Sequence, residues 1–250
     1  HRLIRRQRQM CIRDRHKSFE FPKADKVSLA LLKFFTVLTS LGAKERLALS
    51  FRYMKDDPQN NIRVIPPLLR KEVTLHEPYS GDYIHGYMVN AGFSENVMKW
   101  HRQHPRIPLR FFWDKWEEEP VKRVDNTLSF YQLDDVEFLR QMAGCKAYAS
   151  TAGFESVCEA MYLGKPILMV PAHIEQDCNA YDAEKSGAGI ISSDFNLQQL
   201  LEFAKDYHPN RDFVYWVRGA EYTLLNLLES DSSNYQQVLF NEMYLVEEFI

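Results

Sequence analysis

The sequence lacks a paired cysteine pattern, a histidine cluster with metal-ligand spacing and any long apolar run. Its 250 residues contain four cysteines, Cys11, Cys145, Cys158 and Cys178, whose spacing fits neither a zinc site nor a disulfide framework. We therefore expect buried, reduced thiols, as in a cytosolic protein. The histidines are spaced as structural or surface residues, so no metal site and no cofactor is predicted.

A membrane-spanning helix needs about 20 consecutive apolar residues, and no run in this chain approaches that length. The richest stretch, Val27 to Leu41, is interrupted by serine, threonine and lysine and is predicted to be a buried or interfacial helix. Internal repeats and low-complexity segments are also missing. These absences leave an ordinary globular protein, with 45% hydrophobic and 26% charged residues.

The first fourteen residues look like a basic arm, but a different origin is expected for them. The stretch Arg5-Arg-Gln-Arg-Gln-Met-Cys-Ile-Arg-Asp14 is similar to the translation of a transposon-based sequencing adapter. Residues 1–14 are therefore expected to be a non-native leader. They hold five arginines and one aspartate, a net of +4, so the rest of the chain carries −7 against −3 for the whole. That acidic balance argues against a nucleic-acid partner.

From Asp82 onward, strand and helix patterns alternate. The predicted strands are Tyr83–Val89, Leu109–Trp113, Leu128–Tyr131, Ala147–Ser150, Ile167–Val170 and Gly189–Ser192. The predicted helices between and after them are Ser94–His104, Asp134–Ala143, Phe154–Leu163, Gln176–Ser186 and Leu197–Tyr207. This succession predicts an α/β protein with a Rossmann-like parallel sheet over residues 82–212.

The flanking segments are predicted to be separate units. Residues 15–66 contain two short apolar strands and are expected to be the remnant of an amino-terminal, acceptor-side domain, with residues 67–81 as the linker. Residues 213–250 are expected to form carboxy-terminal helices, Phe213–Leu228 and Tyr235–Ile250.

One predicted strand-to-helix turn combines small residues with a helix start. Ser150-Thr-Ala-Gly153 lets a ligand approach the backbone, and the following helix offers free N–H groups and a positive dipole end. That combination suits a phosphate or diphosphate. Glu155 and Glu159 share the helix face opposite the apolar stripe, and a carboxylate there can accept hydrogen bonds from two ribose hydroxyls.

The next turn is dense in polar groups that suit several sugar hydroxyls. His173, Glu175, Gln176 and Asn179 lie together at one helix start. The alternative is that these side chains cap the helix and bond locally, and the turn by itself leaves both interpretations open.

These two turns together resemble the nucleotide-sugar signature of GT-B glycosyltransferases. The pattern is small-small-Gly, Ser156, Glu159-Ala160, Gly164-Lys-Pro166, a strand ending in Pro171, and Gln176-x-x-Asn179-Ala. It is most similar to the carboxy-terminal domain of glycosyltransferase family 28 and related MurG-like bacterial UDP-glycosyltransferases. The resemblance implies the donor-binding half of a GT-B fold and an inverting, metal-independent transfer of a sugar from a nucleotide donor, with UDP as the expected nucleotide.

Carried over to this chain, the resemblance implies a set of contacts with the donor. The diphosphate would be held by Thr151, Ala152, Gly153, Phe154, Glu155 and Ser156, and the ribose by Glu159. The sugar would contact Gln176 and Asn179, supported by Glu175 and His173, while Leu133 would lie near the uracil. Asn90 and Gly92 would form a turn beside the phosphates, and Arg70 resembles an interdomain arginine of the family.

The family's glycine-rich acceptor turn and its histidine have no match before Asp82, so the catalytic base is expected outside this sequence and the chain alone is expected to be inactive. The acceptor is not defined beyond a lipid-linked molecule or a small glycan. The resemblance implies a cytoplasmic enzyme with at most peripheral contact with the inner membrane face. A nucleotide-sugar 2-epimerase of the same fold and a non-catalytic nucleotide-sugar-binding protein are the alternatives.

Overall fold

The computed structural model describes residues 16–23, 26–41, 43, 46–115 and 117–229. The predicted leader, residues 1–14, and the predicted helix Tyr235–Ile250 lie outside these described residues.

The amino-terminal part forms one helix and a small sheet. Helix α1 (Lys26–Thr39) is followed by strands β1 (Arg46–Leu49) and β2 (Ile62–Ile65), which pair in parallel. Only Thr36 of α1 is buried, so of the two predicted alternatives the buried helix is wrong and the interfacial helix stays a prediction. Its large apolar side chains face outward: Val27, Leu31, Phe34, Phe35, Val37 and Leu38.

The rest of the chain is organised around one seven-stranded sheet. Its strands lie in the order β5-β6-β4-β3-β7-β8-β9, and every neighbouring pair is parallel except β5 and β6. In chain order they are β3 (Ile84–Met88), β4 (Leu109–Trp113), β5 (Val121–Arg123), β6 (Leu128–Gln132), β7 (Ala147–Ser150), β8 (Ile167–Met169) and β9 (Gly189–Ile191).

Helices cover both faces of this sheet. They are α2 (Ser94–Gln103), α3 (Asp135–Gly144), α4 (Phe154–Tyr162), α5 (Ile174–Lys185), α6 (Leu197–Phe203), α7 (Arg211–Arg218) and α8 (Ala220–Glu229). Successive residues of a strand pack in two different hydrophobic cores, one on each face of the sheet. Phe112 packs in the core formed with α3, α4 and α7, and Phe111 packs in the core formed with α2 and α6. The predicted α/β fold with a Rossmann-like parallel sheet is confirmed.

Three differences from the prediction exceed two residues. Strand β5 was missed because Val121, Lys122 and Arg123 are all exposed, so this edge strand has no apolar alternation to reveal it. The single helix predicted for Phe213–Leu228 is two helices that meet at Gly219. Helix α6 ends at Phe203, four residues before the predicted Tyr207.

The two ends of the described chain contact each other. The Trp216 indole on α7 donates a hydrogen bond to the Ser50 carbonyl after β1 at 3.1 Å, across 166 residues of sequence. Phe51 is fully buried with its ring centroid 4.7 Å from that of Phe154, and Arg52 pairs with Asp182 at 2.6 Å. The small amino-terminal sheet is therefore packed on the large domain through α4, α5 and α7.

The predicted linker, residues 67–81, is also attached to the large domain. Val73 is fully buried in the core that contains α3 and α4. The buried Lys165 ammonium donates to the carbonyls of Tyr79 and Cys145 at 2.7 and 3.0 Å, and burial lowers the pKa of this lysine. Residues 67–81 are thus attached to the large domain at two positions, Val73 and Tyr79.

A histidine lies inside the aromatic core beneath the sheet. His85 on β3 is fully buried and surrounded by the rings of Phe112, Phe138 and Tyr148, with centroids at 5.3, 4.8 and 5.3 Å. Burial is the main cause that lowers the pKa of His85 to about 3 from 6.5. The ring is therefore neutral in the folded protein at neutral pH.

We predict that His85 makes the protein sensitive to acid. The unfolded imidazole binds a proton near pH 6.5 and the folded one only near pH 3, so stability is lost as the pH falls through that window. At pH 5 the loss relative to pH 7.5 should be about 2 kcal/mol. His85→Phe should remove that part of the slope in urea unfolding measured at both pH values. An unchanged slope in the variant would contradict this assignment.

We predict that Gly189 is required by close packing, whereas Gly219 is not. A Cβ at Gly189 would lie 1.9 Å from the Ile167 carbonyl oxygen on the neighbouring strand, so Gly189→Ala should cost about 2–3 kcal/mol in urea unfolding. Gly219 offers a matched control, because its nearest neighbours lie at 3.8 Å or beyond. Gly219→Ala should be neutral or stabilising by up to about 1 kcal/mol. Equal losses at both positions would show that packing is not the cause.

Candidate functional site

The order in which the chain adds strands to the sheet changes side between β3 and β7. Along the chain the parallel strands run β3, β4, β6 to one side and β7, β8, β9 to the other, which is the 3-2-1-4-5-6 order of a Rossmann sheet. Tyr87 of β3 pairs with Ser150 of β7, so the turns that follow these strands lie side by side at the carboxyl edge. Ligands of open parallel sheets bind at this switch point.

The turn after β7 has a strained backbone. Ala152 adopts a left-handed conformation with φ of 60°, and it is fully buried. The Ser150 hydroxyl accepts a hydrogen bond from the Ala152 amide at 3.1 Å, and the Asn179 amide donates to the Ala152 carbonyl at 3.4 Å. A left-handed alanine costs about 1–2 kcal/mol, and such strain concentrates at functional sites.

Helix α4 begins directly after this turn, at the carboxyl edge of the sheet. Gly153 is the N-cap, and the first intrahelical bond runs from the Val157 amide to the Gly153 carbonyl at 3.1 Å. The amides of Glu155 and Ser156, in the first turn of α4, come before that first bond, and the start of the helix carries its positive dipole end. This arrangement can hold an anion.

The predicted turn after β3 lies next to this helix start. The Asn90 side chain accepts a hydrogen bond from the Gly92 amide at 2.8 Å and begins a single 3₁₀ turn. Leu133 follows β6 and is 38% exposed, but β4 and β3 separate its strand from β7. The Asn90 turn is therefore brought to the switch point, whereas Leu133 lies farther along the edge.

The predicted sugar-contacting residues lie at the start of α5. Gln176 and Asn179 are buried, and His173 is exposed at the N-cap. Gln176 accepts a hydrogen bond from the Ala172 amide at 2.8 Å, while Asn179 reaches the Ala152 carbonyl. Both side chains thus hold the backbone of the two turns in the described structure.

The predicted ribose residue has a partner that the sequence pattern did not reveal. Both oxygens of Glu159, which is 0% exposed, accept hydrogen bonds from Arg70, from Nε at 2.6 Å and from Nη2 at 2.7 Å. The remaining arm of the guanidinium, Nη1, donates to Asp135 at 3.0 Å. Burial raises the pKa of Glu159, and the Arg70 guanidinium opposes that shift.

The structure brings together residues that the sequence keeps apart, because Arg70 and Glu159 are separated by 89 positions. Asp135, the first residue of α3, was not among the predicted site residues. Among the described residues, no group of three or more metal-ligating side chains converges. None of the described helices is long and apolar enough to cross a membrane.

A mostly parallel sheet with Rossmann order is the fold of nucleotide-binding α/β domains, whose ligands bind at the switch point. The model of the family "Glycosyl transferase family 1" matches residues 9–207. The chain belongs to this glycosyltransferase family, and its fold is that of the GT-B enzymes. The narrower resemblance to glycosyltransferase family 28 stays a prediction.

Individual relatives are distant and longer. A putative UDP-glucuronosyltransferase of Caenorhabditis elegans, ugt-48, is 26% identical over 105 residues, 41% of this chain and 20% of that protein. The solved glycotransferase of kitacinnamycin has a TM-score of 0.50 and 15% identity, covering 71% of this chain and 51% of its own. LpCGTa, solved in complex with UDP, has a TM-score of 0.48 and 13% identity, covering 95% and 61%. The chain thus spans a fifth of its curated relative and about half to three fifths of these solved chains.

We predict that Ala152, rather than Gly153, is the sterically demanding position of the turn. Ala152→Val should cost more than about 2 kcal/mol, because a β-branched residue rarely adopts a left-handed conformation. Ala152→Gly should change stability by less than about 1 kcal/mol, since relief of strain is offset by chain entropy.

Gly153→Ala is the control in the same denaturant series. The backbone of Gly153 has an ordinary φ of −64°, and an added Cβ would meet only the Ser156 hydroxyl at 3.6 Å. This variant should change stability by less than about 1 kcal/mol, because the lower entropy of the unfolded chain offsets the poorer N-cap. A larger loss for Gly153→Ala than for Ala152→Val would contradict the prediction.

Proposed function

We propose that this chain is the donor-binding half of a two-domain GT-B glycosyltransferase that transfers a sugar from a UDP-linked donor. Residues 82–212 would form the nucleotide-sugar-binding domain, followed by the carboxy-terminal helices of residues 213–250. Residues 15–66 would belong to the acceptor-side domain, with residues 67–81 between the two.

The observation that carries this proposal is the start of α4 at the switch point. The first turn of α4, with its positive dipole end, follows directly after a strained turn at the switch point, and such a helix start suits a diphosphate. As the sugar leaves the donor, negative charge grows on that diphosphate, and donors fixed before the reaction stabilise it at no cost of reorganisation. The same turn would therefore bind the donor and help the leaving group depart.

The other predicted residues keep the roles that the family resemblance implies. Asn90 and Gly92 would lie beside the phosphates, and Glu159 one turn along α4 would meet the ribose. The start of α5, with His173, Glu175, Gln176 and Asn179, would face the sugar, and Leu133 the base.

Stabilisation by amides and a dipole requires no divalent cation, so we propose a metal-independent transfer. We further propose that it inverts the anomeric centre, with the attacking acceptor activated by a base from the acceptor-side domain. The acceptor would be a lipid-linked molecule or a small glycan.

We predict that a charge at the N-cap of α4 separates phosphate binding from fold stability. Gly153→Asp introduces a favoured N-cap residue, so the helix should be as stable as before. Its carboxylate would repel the diphosphate and weaken UDP binding by about tenfold or more. Titration calorimetry of UDP and uridine with the full chain should show that loss for UDP only, because uridine has no phosphate.

Gly153→Asn is the matched control, since it offers the same cap without the charge, and it should lose much less affinity for UDP. Wild-type UDP affinity should be the same within about twofold in Mg²⁺ and in a chelator. Failure of the wild type to bind UDP would refute the donor assignment. Equal losses for UDP and uridine in Gly153→Asp would refute the phosphate role of the turn, and binding only with Mg²⁺ would refute metal independence.

A further inference from the structure

Arg70 closes off the carboxylate of Glu159. The side chain of Glu159 is 0% exposed while that of Arg70 is 20% exposed, so the guanidinium forms the outer surface over the carboxylate. With no exposed surface on Glu159, an atom the size of a water molecule cannot touch its oxygens. A ribose hydroxyl cannot do so either in this arrangement.

The guanidinium has a second anchor that does not depend on Glu159. Its Nη1 arm donates to Asp135, which is 60% exposed at the start of α3. The charge of Glu155, one turn closer to the start of α4, also acts on Arg70, and the Phe138 ring lies 6.0 Å from the guanidinium carbon. Arg70 can therefore leave Glu159 and stay paired with a carboxylate at the rim.

The backbone of Arg70 is fixed, so the exchange needs only its side chain. Arg70 is extended, with φ of −62° and ψ of 137°, and its carbonyl accepts from the Val73 amide at 3.0 Å to begin a short 3₁₀ turn. Val73, which lies within this 3₁₀ turn, is buried in the core. Release of Glu159 is thus a rotation of the arginine side chain about its own bonds, without movement of the linker.

We propose that Arg70 is a positioning residue that occupies the ribose-binding carboxylate of the ligand-free protein and releases it when the donor binds. This inference rests on the proposed function. Arg70 competes with the ribose for the same two oxygens, so it reduces the gain from the 2′- and 3′-hydroxyls. The strength of the Arg70–Glu159 pair thereby sets how strongly the site distinguishes ribose from a sugar without these hydroxyls.

The test is the ratio of the dissociation constant of 2′,3′-dideoxy-UDP to that of UDP, measured by calorimetry on the full chain. Arg70→Met keeps the length of the side chain and removes its charge and donors, so Glu159 is freed and the ratio should rise at least about fivefold. The titrations are run at pH 8, because a buried carboxylate without its partner ionises less readily. Glu159→Gln and the double variant should both bring the ratio close to one.

Arg70→Lys is the second variant, in case Arg70→Met does not fold. A lysine keeps the charge but donates from one point instead of a planar fork, so the ratio should rise by a smaller factor. A purely structural role for Arg70 would lower the affinity for both ligands equally and leave the ratio unchanged. That result, or a fall of the ratio towards one in either Arg70 variant, would overturn the inference. If the wild-type chain does not bind UDP, that result refutes the proposed function on which the inference rests.

Discussion

The position of the site depends on one constraint, the handedness of the crossovers between parallel strands. Such connections are right-handed in nearly all proteins, so a chain that extends its sheet first one way and then the other must change faces. Here α2 follows β3 on the face of one core, and α4 follows β7 on the face of the other. The two helices diverge from neighbouring strands, and the space between their starts is the crevice at the switch point.

Much of this arrangement could be predicted from local patterns. The six parallel strands were predicted to within one residue at each end, because apolar runs such as Leu109–Trp113 are bounded by polar or turn residues. The turn that begins at Ser150 was found for the same reason, since small residues between a buried strand and a helix leave a local signature. Strand order and the site at its reversal follow from chain connectivity once the elements are known.

The remaining features depend on contacts between distant residues. Nothing near Glu159 in the sequence indicates that an arginine 89 positions earlier closes over it. The left-handed backbone is at Ala152, although Gly153 is the residue that permits it without strain. Two hydrogen bonds hold Ala152 in this left-handed conformation, one to the Ser150 hydroxyl on β7 and one from the Asn179 amide on α5. The local sequence around Ala152 does not reveal them. Asn179, which is predicted to contact the sugar, therefore also stabilises the turn that would bind the diphosphate.

The hydrogen bond between Trp216 and Ser50 has a consequence for the synthesis of the protein. The strands β1 and β2 are among the first described elements to leave the ribosome, but the helices that cover them, α7 and α8, are the last. At about 5–20 residues per second, the 166 positions that separate the two partners take roughly ten to thirty seconds to translate. Throughout that interval β1 and β2 lack the contact that α7 supplies in the folded protein.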